Sequence, residues 1–245
     1  MENFILFFRS KYFGELIYNT VTISIYSLIA GFPIPIILAI MLNEASNTAF
    51  RKTVQMITYA PNFISMVVMV GMLNVFLSPS SGFVNAIIVK LGFEPIAFMD
   101  KPEYFKSLYV WSNIWQGAGW ASIMYFAALS GIDTQLYEAA KIDGASKLQK
   151  ILHIDLPGIL PTIAILLIMQ CGSIMSVGFE KIYLMQNALN TETSEVISTY
   201  VYKVGLLNAQ YSYTSAVGLF NSVVNLILLI VVNKITSKLS GSGLW

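Results

Sequence analysis

Charge is scarce in this chain. Of its 245 residues only 11% are Asp, Glu, Lys or Arg, against roughly 25% in a soluble globular domain. It has one cysteine, Cys171, which excludes a disulfide framework within the chain. Its only histidine is His153, and it has no Gly-rich phosphate loop closing on Lys-Ser or Lys-Thr. No catalytic residue, metal ligand set or cofactor is therefore expected. A net charge of +1 leaves no basic field that would draw nucleic acid. The opening residues 1–16 contain Arg9, Lys11 and Glu15 in place of the apolar core and small-residue cleavage site of a secretory signal. They read as an interfacial segment.

What fills the chain instead is apolar: 56% of its residues are hydrophobic. Five runs near the roughly 20-residue length of a membrane-spanning helix lie at about Tyr18–Leu42, Val54–Leu77, Leu108–Leu129, Ile159–Val177 and Ala216–Val232. Every backbone polar group in lipid must be paired internally, so such runs are helices. The expected fold class is an all-α polytopic membrane protein, with residues 1–245 forming one transmembrane domain. No Asp or Glu sits near the centre of any run, which argues against a stand-alone secondary transporter with an ion-coupling carboxylate. Gly31, Pro33 and Pro35 interrupt the first run as either a hinge or a static bend. The stretch from Phe179 to Tyr213 reads as a long connection, partly helical over Thr191–Leu207, and residues 237–245 as a flexible polar tail. Lysine and arginine divide seven to seven between the alternate sides, so charge bias alone sets no orientation.

Between the third and fourth runs lies a polar insert, residues 131–157. Asp133 is placed to cap a helix starting near Thr134. Leu136, Ala139 and Ala140 recur at helical spacing and give a narrow apolar face, flanked by Glu138. Gly144 fits the left-handed residue that ends such a helix. Ser146 with Gln149 reads as a capping box that starts a second one. Two readings stay open on chemistry alone: a handle gripped by another protein, or an interfacial helix pair without a partner.

The spans also carry residues suited to saccharides, whose C–H faces stack on aromatic rings and whose oxygens bind amides and hydroxyls. The third run offers Trp111, Asn113, Trp115, Gln116 and Trp120. Trp111, Trp115 and Ser122 fall near one helical face, and Asn113, Gln116 and Trp120 near another. Gln170, Glu180 and Asn221, with Asn62, Ser65 and Asn225, add candidates along a substrate pathway. Each has a plainer reading, as an interfacial anchor or as an interhelical hydrogen-bonding group.

The insert resembles the EAA loop of permease subunits in ATP-binding cassette importers. That pattern is Glu-Ala-Ala, three residues, Gly, then an Ile-x-Leu-Pro ending, and Glu138, Ala139, Ala140, Gly144, Ile154, Leu156 and Pro157 fill it here. Asp143, Ala145, Gln149 and His153 look like the carbohydrate branch, whereas Leu148 and Ile151 stand where aromatics are common. Asn19-Thr20, Gly31-Phe32-Pro33, Leu42-Asn43-Glu44 and the stretch from Trp111 to Gly119 resemble the first permease half of oligosaccharide, aldouronate-type importers. The resemblance implies a type I importer permease fold with about five transmembrane helices, an N-terminal helix missing from this chain, and a cytoplasmic coupling loop. It implies as partners a second homologous permease, two cytoplasmic ATP-binding subunits, an extracytoplasmic solute-binding protein, a sugar, and membrane lipid. ATPase coupling falls on Glu138, Ala139, Ala140, Asp143, Gly144, Leu156 and Pro157, with ATP hydrolysis on the partner subunits. A non-sugar solute, an amino acid or peptide, is the alternative cargo.

Overall fold

The structure is a computed structural model that describes residues 1–241, 243 and 244; Ser242 and Trp245 of the expected polar tail lie outside the described residues. Helices dominate, and no strand occurs among the described residues. The chain opens with α1 (Glu2–Arg9), α2 (Phe13–Gly31), α3 (Pro33–Glu44) and α4 (Thr48–Tyr59). A 3-10 turn (Ala60–Phe63) precedes α5 (Met66–Phe76), α6 (Phe83–Lys90) and the 29-residue α7 (Pro102–Ser130). After it come α8 (Thr134–Ile142), α9 (Lys147–Lys150), a π turn (Ile151–Asp155) and α10 (Leu156–Cys171). The long connection is α11 (Phe179–Met185), α12 (Thr191–Ser194), α13 (Ile197–Val201) and a second π turn (Tyr202–Leu207), ahead of α14 (Tyr211–Ser240).

Three helical stretches are long and apolar enough to cross a bilayer: Phe13–Glu44, Lys147–Cys171 and Tyr211–Lys238. The pair Thr48–Phe63 and Met66–Phe76 counts as a fourth if read as one span. The expected second span is thus broken at Ile64–Ser65. Pro61 cannot continue an α-helical ladder, and Ser65 restarts it by accepting the Val68 N–H at 3.3 Å. The expected third span is α7, long enough to cross but diluted in hydropathy by its Trp, Asn, Gln and Ser residues. In the first span Phe32 separates α2 from α3, with Pro33 in the first turn of α3, where its missing N–H costs nothing.

Two compact units are distinguishable. One comprises Met1–Ser27, Ile64–Ser112 and Ser173–Asn225; the other comprises Leu28–Phe63, Asn113–Gly172 and the chain from Leu226 on. In the first, Phe7 is fully buried and meets the rings of Phe13 and Phe220 edge-on at 5.1 and 5.5 Å. Polar side chains tie the long connection down. Asn19 donates to the carbonyls of Glu192 (2.8 Å) and Glu195 (3.2 Å), and Thr20 accepts the Ile197 N–H at 3.1 Å. Asn190, fully buried, donates to Met99 O and Met185 O at 2.9 and 3.0 Å and accepts from Ser194 and Asn187. A buried amide with all its groups paired fixes this segment far better than an apolar side chain could, because each alternative packing would leave a polar group unmatched.

The second unit is built on Ala39, Ile40, Tyr125, Leu129 and Ile159, with Ile36, Phe126, Ile132 and Leu156 packed against them. Helix α7 meets α4 so closely that a Cβ at Gly119 would lie 2.0 Å from the Thr58 carbonyl oxygen. Small residues at such crossings are how membrane helices gain packing that lipid cannot supply.

Candidate functional site

The insert folds as two short helices joined by a defined turn. The Asp133 carboxylate accepts the Gln135 N–H at 2.9 Å, capping α8. At its other end Gly144 adopts φ +72°. The Ala145 N–H reaches Ala140 O at 2.9 Å and the Gly144 N–H reaches Lys141 O at 3.2 Å, the paired bonds of a Schellman ending. Ser146 and Gln149 then exchange backbone hydrogen bonds (2.7 and 3.3 Å) to start α9. These contacts are local, so the turn is specified by the residues that form it.

The hairpin leaves apolar side chains uncovered between charged ones. Leu136 is 52%, Ile142 87% and Leu148 64% exposed, and Glu138, Ala139, Asp143 and Gly144 are exposed among them. Ala140 is half-buried. Pro157 is exposed at the start of α10, while Leu156 packs into the apolar cluster of its unit, so its side chain anchors the loop from beneath.

One polar contact binds the hairpin to the helices below it. The Tyr137 hydroxyl donates to Asp155 Oδ1 at 2.5 Å, and Asp155 is fully buried. Burial, followed by the Asp155 carboxylate beside it, pushes the Tyr137 phenol well above its usual range, with Asn43 acting in the opposite sense. Asn43, at the end of α3, interacts with the same hydroxyl, and the neighbouring Glu44 acts on it only through its charge. Sequence reading missed the pair. Its one signal is an acid, Asp155, inside the otherwise apolar Ile-Asp-Leu-Pro ending.

The pathway candidates distribute over both units. In the first, Trp111 is exposed and donates to the Tyr26 hydroxyl at 3.0 Å, Glu180 is exposed in the first turn of α11, and Asn221 is half-buried with its Oδ1 covered. In the second, Trp115 and Gln170 are exposed, Asn113 is half-buried, Gln116 is buried, and Trp120 meets the Phe63 ring edge-on at 5.5 Å. Two other candidates also hold local structure. Ser65 caps α5, and Asn225 accepts the Met175 N–H at 2.9 Å while donating to Ser176 at 3.0 Å. No group of three or more His, Cys, Asp or Glu placed to hold a metal ion occurs among the described residues.

Comparison with known proteins places the chain. The polygalacturonan/rhamnogalacturonan transport system permease protein YteP of Bacillus subtilis (strain 168) is 42% identical over 245 residues, covering 100% of this chain and 76% of that protein. Protein LplB of the same organism is 39% identical, covering 98% of this chain and 75% of its own length. Among solved structures, a chain of a bacterial alginate ABC transporter, crystallised in complex with an alginate pentasaccharide-bound periplasmic protein, superposes with a TM-score of 0.97. It is 44% identical, and the match covers 100% of this chain and 85% of that one. Residues 31–240 match the family model described as binding-protein-dependent transport system inner membrane component. With that match over most of its length, and an all-helical fold of the type I importer permease class, the chain belongs to this family of inner-membrane permease subunits.

Proposed function

We propose that this chain is the transmembrane subunit of an ATP-driven importer for a sugar or oligosaccharide, a single transmembrane domain whose residues 131–157 form the cytoplasmic loop gripped by an ATPase. The observation that carries the reading is the polar hairpin, where capped helix ends hold Leu136, Ile142 and Leu148 exposed beside Glu138. Exposed apolar residues rimmed by polar ones mark protein or membrane interaction sites, and the resemblance to the coupling loop favours a protein here. The cargo class is supported by the relatives, whose names specify polygalacturonan, rhamnogalacturonan and alginate.

In this reading a second permease completes the pathway, and an extracytoplasmic binding protein delivers the sugar. Two cytoplasmic subunits hydrolyse ATP; this chain is not an enzyme. ATP binding closes the ATPase pair and carries α8 with it, and the membrane helices follow from inward-facing to outward-facing; hydrolysis resets them. Glu138, Ala139, Ala140, Asp143 and Gly144 form the gripped surface, with Leu156 and Pro157 rooting it on α10. Trp111, Asn113, Trp115, Gln116, Trp120, Gln170, Glu180 and Asn221 are the candidates for touching sugar on its way. The test is reconstitution in lipid vesicles with the second permease, candidate ATPases and the cognate binding protein. Sugar-dependent ATP turnover with uptake supports the reading, and an assembled complex that turns over ATP without moving any saccharide removes it.

A further inference from the structure

We infer that Tyr137 is the pin through which a movement of α8 reaches the membrane helices, its hydroxyl engaging Asp155 at the root of α10. The inference rests on the ATPase-coupling reading above and adds a positioning residue to it.

Consider the paths by which force could pass from α8 to α10. The covalent path runs through the left-handed Gly144, the four residues of α9 and the π turn Ile151–Asp155. A left-handed turn, a single-turn helix and a π turn interrupt the regular α-helical ladder between α8 and α10. A pull on α8 passed along this route alone would be spread over those three breaks. The Tyr137–Asp155 hydrogen bond joins residues 18 apart in sequence at 2.5 Å and bypasses all three. Around it the outer surface of α8 is free for a partner: Glu138, Ala139, Lys141 and Ile142 are exposed, whereas Tyr137 is turned inward and half-buried. Asn43 of α3 interacts with the same hydroxyl, so α3 also reaches the pin.

Asp155 is also a poor choice for packing alone. It is fully buried, and its Oδ2 has no hydrogen-bond partner among the described residues. An apolar side chain of similar size would fill the space without the cost of taking a carboxylate out of water. Asp155 is understandable if the hydrogen bond it accepts has to hold under load.

The experiment uses the reconstituted importer with Y137F, D155N and the double variant Y137F/D155L. The readout is sugar transported per ATP hydrolysed, normalised to assembled complex. Losing this hydrogen bond in Y137F should lower that ratio by about fivefold. D155N keeps an oxygen that accepts from Tyr137, and should recover most of the ratio. The double variant leaves no buried carboxylate without its partner, and Asn43 is open enough to turn to water, so it assembles, yet its ratio should stay as low as that of Y137F. A normal ratio in Y137F, or one restored in the double variant, overturns the inference, because a merely structural contact would change the amount of complex and leave the ratio alone. Spin labels at Lys141→Cys and Leu160→Cys, with Cys171→Ser, read the link without sugar: the α8–α10 distance distribution should be narrow in the parent and broad in Y137F. Equal widths also overturn it. Failure of the parent importer to move sugar at all would instead count against the proposed function.

Discussion

Replacing Gly144 probes the handle without disturbing the membrane helices. At φ +72° a Cβ would find nothing within 4 Å, so steric contact adds nothing and any cost is confined to the backbone. For an L-residue in the left-handed region that cost is about 1–2 kcal/mol, and a β-branched side chain sits there least comfortably. Asparagine tolerates the region best after glycine. A penalty of about 1.4 kcal/mol shifts an equilibrium about tenfold. Alanine should therefore cut the occupancy of the turn by roughly that factor, and valine by more. What is lost with it is the pair of hydrogen bonds from Ala145 and Gly144 back to Ala140 and Lys141, which fix where α8 ends. The assay is sugar moved per ATP hydrolysed in proteoliposomes, with thermal stability in detergent as the control. The expected order is Gly144, then Asn, Ala and Val, at nearly constant stability because the turn is exposed. A valine variant that couples as well as the parent would refute the reasoning that coupling depends on where this turn ends α8.

Three further outcomes are expected. Gly119→Ala should lower the thermal midpoint by several degrees, since its Cβ would press on the Thr58 backbone at an overpacking cost of about 1–3 kcal/mol; Gly117→Ala, with nothing within 4 Å, should leave the midpoint unchanged or raise it, and the pair is read by fluorescence-detected size exclusion after heating. Asn190→Ala would strand the carbonyls of Met99 and Met185, and a loss of about 1–3 kcal/mol should appear as early protease cleavage between Phe179 and Tyr213. Trp115→Ala should raise the sugar concentration that half-saturates ATPase stimulation by about fivefold, and an unchanged value would remove Trp115 from the pathway.

The hairpin was legible in the sequence because its signals are local. Asp133, Gly144 and the Ser146–Gln149 pair satisfy backbone groups within a few residues of themselves, and such requirements can be read from spacing alone. The long helices were legible for a similar reason, since hydropathy acts residue by residue. What escaped is what depends on residues far apart. The Tyr137–Asp155 bond needs α8 folded back upon α10 before either residue has a partner. The break at Ile64–Ser65 follows Pro61, but the apolar residues on both sides carry the hydropathy signal through it, and the backbone groups that the pathway candidates Ser65 and Asn225 hold are not written in composition. The π turns carry no signal of their own in composition, because the same residues would suit an α-helix.

The bare hairpin also bears on how the cell makes this protein. Ile142 and Leu148 face water when no mate covers them, and surplus greasy side chains of that kind are what chaperones and quality-control proteases seize upon. If the hairpin is the ATPase-gripped loop proposed above, copies synthesised in excess of that partner should be short-lived, and its abundance would ration how much permease the membrane keeps.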